Sequence, residues 1–374
     1  MVIGRHRNTR AIISLEAIKH NVATQISKLK DGQSLFAVVK ANAYGHGMIP
    51  VAKAAKEAGA NGFCVAIIDE GIALRESGIK DPILILGVNP ASEAVCMAKH
   101  DLSVAVGTLE FLTEAQKLLQ EEKQRLKIHL ALDTGMGRIG FRNTEDLKEA
   151  VDFIEKHSDQ LKCEGVFTHF STADSKDPAY FEKQSQKFDE LVGVLKKKPK
   201  YIHQANSATA LWHPNFEGNL VRMGISMYGL NPSGDMIDMI DETWNLEPAL
   251  SLESELVAVK EVEAGSSIGY GATYTSSQSE WIGTVPIGYA DGWLRRMQGF
   301  KVLIDGQYCE IVGRVCMDQF MVRLPKKYDL GTKVTLIGEN NGKVITAQDV
   351  ANYADTIHYE IMCNITERVP RIYK

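Results

Sequence analysis

From residue 14 to about residue 230 the apolar positions follow two alternating rhythms. A helical spacing appears in 14–30, 49–58, 69–77, 91–100, 109–124, 144–157 and 178–197. Between these segments lie short apolar runs: LFAVVK, GFCVAI, PILILG, LSVAVG, KIHLALD, CEGVFTHF, YIHQAN and LVRMGISMYGL. Runs that are apolar throughout, rather than at every second position, suit strands covered on both faces, as in a parallel sheet. Eight such strands with interleaved helices predict a (β/α)8 TIM-like barrel, with a doubly wound sheet as the runner-up. One helix precedes the first strand, so 14–30 is expected to fill a slot in the helical ring beside the eighth.

Beyond residue 243 the texture changes. Alternating, β-branched stretches such as SLESELVAVKEV, EWIGTV and KVLIDGQYCEIV are broken by Asp305-Gly306 and Asn341-Gly342, which favour two-residue hairpin turns. This predicts a mostly antiparallel β domain. The expected division is therefore 10–242 for the barrel, with 1–9 and 243–374 forming the β-rich domain. The strand-like TRAIISL, 9–15, could pair with that second domain.

Composition narrows the partners. Hydrophobic residues make up 44% and charged residues 24%, with a net charge of −5. No basic tract exceeds Lys196–Lys198, which is expected to close a helix where cations suit the dipole, so nucleic-acid binding is not expected. No apolar run approaches the ~20 residues that span a bilayer, and the first residues lack a signal-peptide core, so no membrane partner and a cytoplasmic location are expected. The six cysteines form no CxxC pair and read as reduced thiols, not metal ligands.

Barrel enzymes carry their chemistry at the C-terminal ends of the strands. Here those ends hold Lys40; Asp133, Thr134 and Arg138; Thr168, His169 and Ser171; His203, Asn206 and Ser207; and Arg222 with Gly224. Singly such residues are ordinary; on one rim of one barrel they make a site. Burial disfavours the ammonium form of a lysine, and a neutral amine condenses with an aldehyde. If that aldehyde carries a phosphate, Ser207 and the RMGIS segment after the eighth strand could cradle it.

The motifs AVVKANAYGHG, LDTGMGRIGFR, THFSTAD, QANSA, VRMGISMYG, GYGATYT, PIGYADG, GRVCMDQ and ERVPRIY, in this order from about residue 35 to the C-terminus, closely resemble those of the alanine racemases. The resemblance implies a barrel plus β domain, pyridoxal 5′-phosphate as cofactor, and a head-to-tail homodimer with shared active sites. By it, Lys40 bonds the cofactor and is the base on one face of the substrate Cα. Tyr270, supplied by the other subunit, is the base on the opposite face. Arg138 hydrogen-bonds the cofactor's phenolic oxygen and helps hold substrate, and Arg222 faces the pyridine nitrogen with His203 behind it. Tyr44, Ser207, Gly224, Ile225 and Tyr359 match the phosphate-binding set. His169 and Asn206 match supporting positions, Met317 meets the substrate carboxylate through its backbone, and Tyr289, Asp318 and Tyr359 match the entrance. D-alanine supply for peptidoglycan is the implied role.

The implied chemistry is coherent. One base on each face moves a proton across Cα without moving the substrate. Ionising a phenol near neutral pH costs roughly 4 kcal/mol, so His169, Arg222 and His203 are the expected support. An arginine, always charged, should leave the pyridine nitrogen unprotonated and suppress transamination. One departure stands out: several relatives carry a lysine that can be carbamylated where this chain has Ala131, so Arg138 must be positioned otherwise and activity should be insensitive to bicarbonate. The competing readings are a racemase of broader specificity, acting on serine and other small amino acids, a non-catalytic cofactor-binding barrel, and a metal-dependent hydrolase using His129, Asp133, His169 and His203.

Overall fold

The computed structural model describes residues 2–237 and 244–374. The chain forms two compact units: Ala17–Ala43 with Met48–Glu247, and residues up to Glu16 with Tyr44–Gly47 and Pro248–Lys374. The expected boundary at 242/243 lies outside the described residues. The boundary at residue 10 shifts. Strand β1 (Arg10–Ile13) pairs antiparallel with Leu250–Glu255 and parallel with Arg371–Tyr373, so 10–16 belong with the β-rich unit.

The first unit is the eight-stranded parallel barrel. Its strands are β2 (Ser34–Val38), β3 (Gly62–Val65), β4 (Ile83–Ile85), β5 (Ser103–Val106), β6 (Leu126–Ala131), β7 (Leu161–Phe167), β8 (Tyr201–His203) and β9 (Leu220–Met223). They run in the order β8-β7-β6-β5-β4-β3-β2-β9, and the ring closes where Val221 bridges Ala205 and Arg222 N–H donates to the Ala205 carbonyl at 3.0 Å. Every residue of β3, β4 and β5 is buried, which is why their sequences are apolar without alternation. The leading helix Leu15–Ser27 takes the expected slot. Asn21 Nδ2 donates to the carbonyls of Met227, just past β9, and of Glu247, at 3.0 and 2.8 Å.

The helix expected to reach residue 197 stops at Val192, where Gly193 caps it. Lys196–Lys198 therefore lie beyond the helix, and Lys196 pairs with Asp152 at 2.8 Å instead of facing a dipole.

The second unit is built on a ten-stranded, mostly antiparallel sheet. Asp305-Gly306 and Asn341-Gly342 turn its hairpins with positive φ at both positions of each pair, as their sequences require.

Candidate active site

Lys40 leaves the end of β2 and lines a cavity of ≈ 270 Å³ in the barrel unit. Ala131, Arg138, Phe167, Thr168, His169 and Arg222 share the wall; among the described residues three cations face it, and no carboxylate does. Directly after Lys40 the backbone takes an unusual course. Ala41, Asn42, Ala43 and Tyr44 all have φ between 51° and 54°, a left-handed turn without a glycine. For L-residues this conformation costs roughly 1–2 kcal/mol each, so its surroundings must hold it.

Arg222, 3% exposed, fixes the protons around it because a guanidinium only donates. Its Nη1 reaches His203 Nδ1 at 2.7 Å, and its Nη2 reaches the Thr168 carbonyl at 2.8 Å and His169 Nδ1 at 3.4 Å. Both imidazole Nδ1 atoms must therefore accept. A neutral His203 then carries its proton on Nε2 and donates to His129 Nδ1, 2.9 Å away. His129 in turn carries its proton on Nε2, which lies 3.6 Å from the Glu164 carboxylate. Glu164 also accepts from Ser103 Oγ at 2.7 Å. A hydrogen-bonded run His129–His203–Arg222 thus crosses the barrel core, with the Glu164 carboxylate facing its His129 end at 3.6 Å, beyond hydrogen-bond reach. With both His203 nitrogens engaged, neither is left to bind a metal ion.

The charges follow the same logic. Burial holds His203 and His169 well below the ordinary histidine range, with the Arg222 charge adding to it, and burial lowers His129 as well. Glu164 keeps its charge, with its pKa brought down to about 2: burial opposes ionisation, but the nearby His129 edge and the bond from Ser103 outweigh it. Burial pulls Arg222 down to about 10, below the value above 12 usual for arginine yet still protonated at neutral pH. Its fifth donor, Nε–H, has no partner among the described residues. Gly165 makes the chain sterically possible, since a Cβ there would lie 2.4 Å from His129 Nδ1.

Beside this chain, Ser207 Oγ accepts from Gly224 N–H at 2.8 Å and from Ser226 Oγ at 3.0 Å, leaving its own proton to donate. Ile225 opens a 3-10 turn whose first N–H groups have no partner within the turn. Asn206 does not line the cavity; its Oδ1 caps the helix Ser207–Trp212 through Thr209 N–H at 2.9 Å. Arg138 is exposed, and no side chain among the described residues holds its guanidinium. Ala131 packs with Ala105 and Phe167 in an apolar cluster.

The other expected site residues lie in the β-rich unit. Tyr44 and Tyr359 face each other with ring centroids 6.1 Å apart. Tyr289 and Met317 are brought together by two loops in such close contact that a Cβ on Gly288 would sit 2.4 Å from the Met317 carbonyl. Asp318 pairs with Arg368 at 2.6 Å. Tyr270 stands in a tight turn between Gly269 and Gly271, both with positive φ, and is 70% exposed. Tyr274 is apart from it, in a strand, donating to Glu280 at 2.7 Å.

A family model described as alanine racemase, N-terminal domain, matches residues 13–232, and one described as alanine racemase, C-terminal domain, matches 249–373. The chain belongs to the alanine racemase family. It is 99% identical over 374 residues to an alanine racemase of Ligilactobacillus salivarius strain UCC118, with both chains fully covered. The crystal structure of alanine racemase from E. faecalis matches it with a TM-score of 0.96 at 53% identity, over 100% of each chain. A histidine racemase from Leuconostoc mesenteroides also matches, with a TM-score of 0.93 at 34% identity, over 100% of this chain and 99% of the other.

Within this alanine racemase fold, sequence reasoning missed two groups. Glu164 was passed over as part of a strand, although a carboxylate in an otherwise apolar run is the same anomaly that drew attention to Lys40. Glu70, whose carboxylate reaches the backbone N–H of Ala41 at 2.6 Å, gave no signal beyond an acidic first turn of a helix.

Proposed function

We propose that the chain interconverts L- and D-alanine, with pyridoxal 5′-phosphate as its resident cofactor and Lys40 and Tyr270 as the two bases. The observation that carries this is the cavity itself: Lys40 and the buried, charged Arg222 share a wall to which no described residue brings a carboxylate, and Arg222 keeps one N–H without a partner among those residues. That wall suits an anionic aromatic aldehyde whose ring nitrogen can accept a hydrogen bond. When bound, the cofactor supplies the electron sink that eases loss of the Cα proton.

Lys40 holds the cofactor and serves one face of Cα. Tyr270, exposed on its own subunit, serves the opposite face in a homodimer partner. Arg222 donates to the ring nitrogen and, staying charged, leaves it unprotonated. His169, positioned by Arg222, supports the tyrosine. The Ser207 hydroxyl, the backbone at Gly224 and Ile225, and Tyr44 and Tyr359 take the phosphate. Asn206 acts indirectly, by fixing the start of the Ser207 helix. Arg138 binds the phenolic oxygen and the substrate carboxylate, the Met317 backbone meets the same carboxylate, and Tyr289, Asp318 and Tyr359 narrow the entrance. Alanine is favoured over broader specificity because relatives at 99% and 53% identity are alanine racemases, whereas a shared fold with a histidine racemase leaves substrate choice open. In a cytoplasmic enzyme this activity supplies D-alanine for peptidoglycan.

The test is direct. Purified enzyme should show the visible absorbance of a lysine-bound cofactor, lost in Lys40→Ala together with D/L-alanine interconversion. Tyr270→Phe should slow the reaction by roughly 10²–10⁴-fold, the usual worth of a general base. Wild-type rates in both directions for Tyr270→Phe would break the two-base assignment.

A further inference from the structure

We propose that Glu70 is a positioning residue for Lys40, acting by clamping the left-handed turn that follows it; this rests on the reading of Lys40 as the cofactor-bearing base. The four consecutive left-handed residues, Ala41–Tyr44, include two alanines and no glycine. Nothing in their own preferences favours the conformation, since L-residues visit it singly and rarely. It has to be imposed from outside.

The Glu70 carboxylate imposes it at the first of these residues. Oε1 accepts the Ala41 N–H at 2.6 Å. Oε2 accepts the N–H groups of Ala66, at 2.8 Å, and Ile67, at 3.3 Å. Those residues immediately follow β3, the hydrogen-bonded neighbour of β2. Glu70 lies in the first turn of the helix Ile68–Glu76, where the free N–H groups and the dipole favour a carboxylate. One side chain thus ties the peptide after Lys40 to the backbone beyond the adjacent strand. The orientation of the Lys40–Ala41 peptide is the ψ angle of Lys40, so the clamp sets how the lysine leaves its strand.

Two features separate this from ordinary helix capping. Capping needs only the Ile67 bond, which a glutamine would serve, whereas both oxygens of Glu70 accept and only a carboxylate can do that. Ala41 is also solvent-exposed, so its N–H would be satisfied by water without Glu70. The bond is needed for position, not to rescue a buried donor. Downstream, Asn42 Oδ1 accepts the Met48 N–H at 2.8 Å and fixes the other end of the turn.

Glu70→Gln is the informative variant. Its single amide oxygen can keep the Ala66 and Ile67 bonds, and then presents an NH2 group to the Ala41 N–H. The cap and the fold survive while the clamp is lost. In cofactor-free protein, hydrogen exchange at Ala41 should accelerate about tenfold or more, with thermal unfolding little changed. In the holoenzyme, kcat should fall about 10–100-fold, the scale on which small misplacements act, with KM nearly constant. Adding Ala41→Gly should restore most of kcat, because glycine enters the left-handed region without strain. Rapid exchange at Ala41 in the wild type, a Glu70→Gln kcat within about twofold of wild type, or a loss that Ala41→Gly leaves unrepaired would each overturn the proposal. If Lys40→Ala still racemises, the base assignment falls, while the exchange measurement still decides the clamp.

Discussion

The buried histidine chain makes a quantitative prediction about acid stability, best read from His129→Leu. In the wild type the folded-state pKa values of His129 and His203 are depressed by burial, whereas unfolded histidine titrates near ~6.5. As pH falls below 6.5 the unfolded chain binds protons that the folded chain refuses, so stability declines. Between pH 7.0 and 5.5 each histidine that stays neutral in the fold costs up to about 1.2 kcal/mol, and the pair about 2.5 kcal/mol. Glu164 does not contribute in this window, because its own loss runs from about 4.5 downward to its folded value of about 2. Replacing His129 with leucine removes one of the two terms and orphans the His203 Nε2–H, which now lies 2.9 Å from its acceptor; that costs about 1–3 kcal/mol at pH 7. The penalty of the substitution should therefore shrink by about 1.2 kcal/mol at pH 5.5. Urea unfolding of both proteins at the two pH values, at one fixed protein concentration, measures this. A penalty that is the same at both pH values would refute the proton accounting.

Three other outcomes follow from the same site. Arg222→Glu should raise the ratio of transamination to racemisation, measured as pyruvate formed per turnover; an unchanged ratio contradicts the assigned role of the charge. Gly165→Ala should destabilise by about 1–3 kcal/mol in urea unfolding, because the new Cβ would sit 2.4 Å from the His129 ring. Racemase activity should be indifferent to added bicarbonate, since Ala131 sits in an apolar cluster with Ala105 and Phe167 and offers no amine to carbamylate; a clear requirement would mean that another lysine has taken that part.

Much of this was legible in the chain because parallel strands buried on both faces leave an unmistakable signature. Each of the eight apolar runs became a barrel strand, and both Asx-Gly pairs became the hairpins they predict. Errors fell where a local pattern is ambiguous or a partner is distant. The 178–197 periodicity continued past Val192, where the helix ends at Gly193 in a right-handed conformation, so no left-handed stop marks the boundary in the sequence. The boundary at residue 10 left Arg10–Ile13 on the barrel side, although TRAIISL was also read as a possible partner of the second domain; its partners lie some 240 and 360 residues further on. The left-handed turn could not be read at all: ANAY contains no glycine, and alanine by itself argues for a right-handed helix. The relay was hidden for a different reason. His129, Glu164 and His203 sit on three successive strands, and only the barrel's register brings them into line.

That register also explains why an arginine, and not a lysine, stands at position 222. Four contacts, to Nδ1 and the carbonyl of His203, the Thr168 carbonyl and His169 Nδ1, engage the two terminal nitrogens of a planar fork. A lysine has three donors on one atom and could not span both histidines while keeping a donor for a third direction. Among the described residues no carboxylate bonds Arg222, and Glu164 stands beyond two imidazoles, so the guanidinium charge is not neutralised at contact. Its remaining N–H therefore carries nearly the full pull of a cation, in a wall where no described residue brings an acid to compete for it. A ring nitrogen meeting that donor keeps its lone pair and gains no proton. On the proposed reading, Arg222 would in this way favour returning the proton to Cα over diverting the substrate to a keto acid.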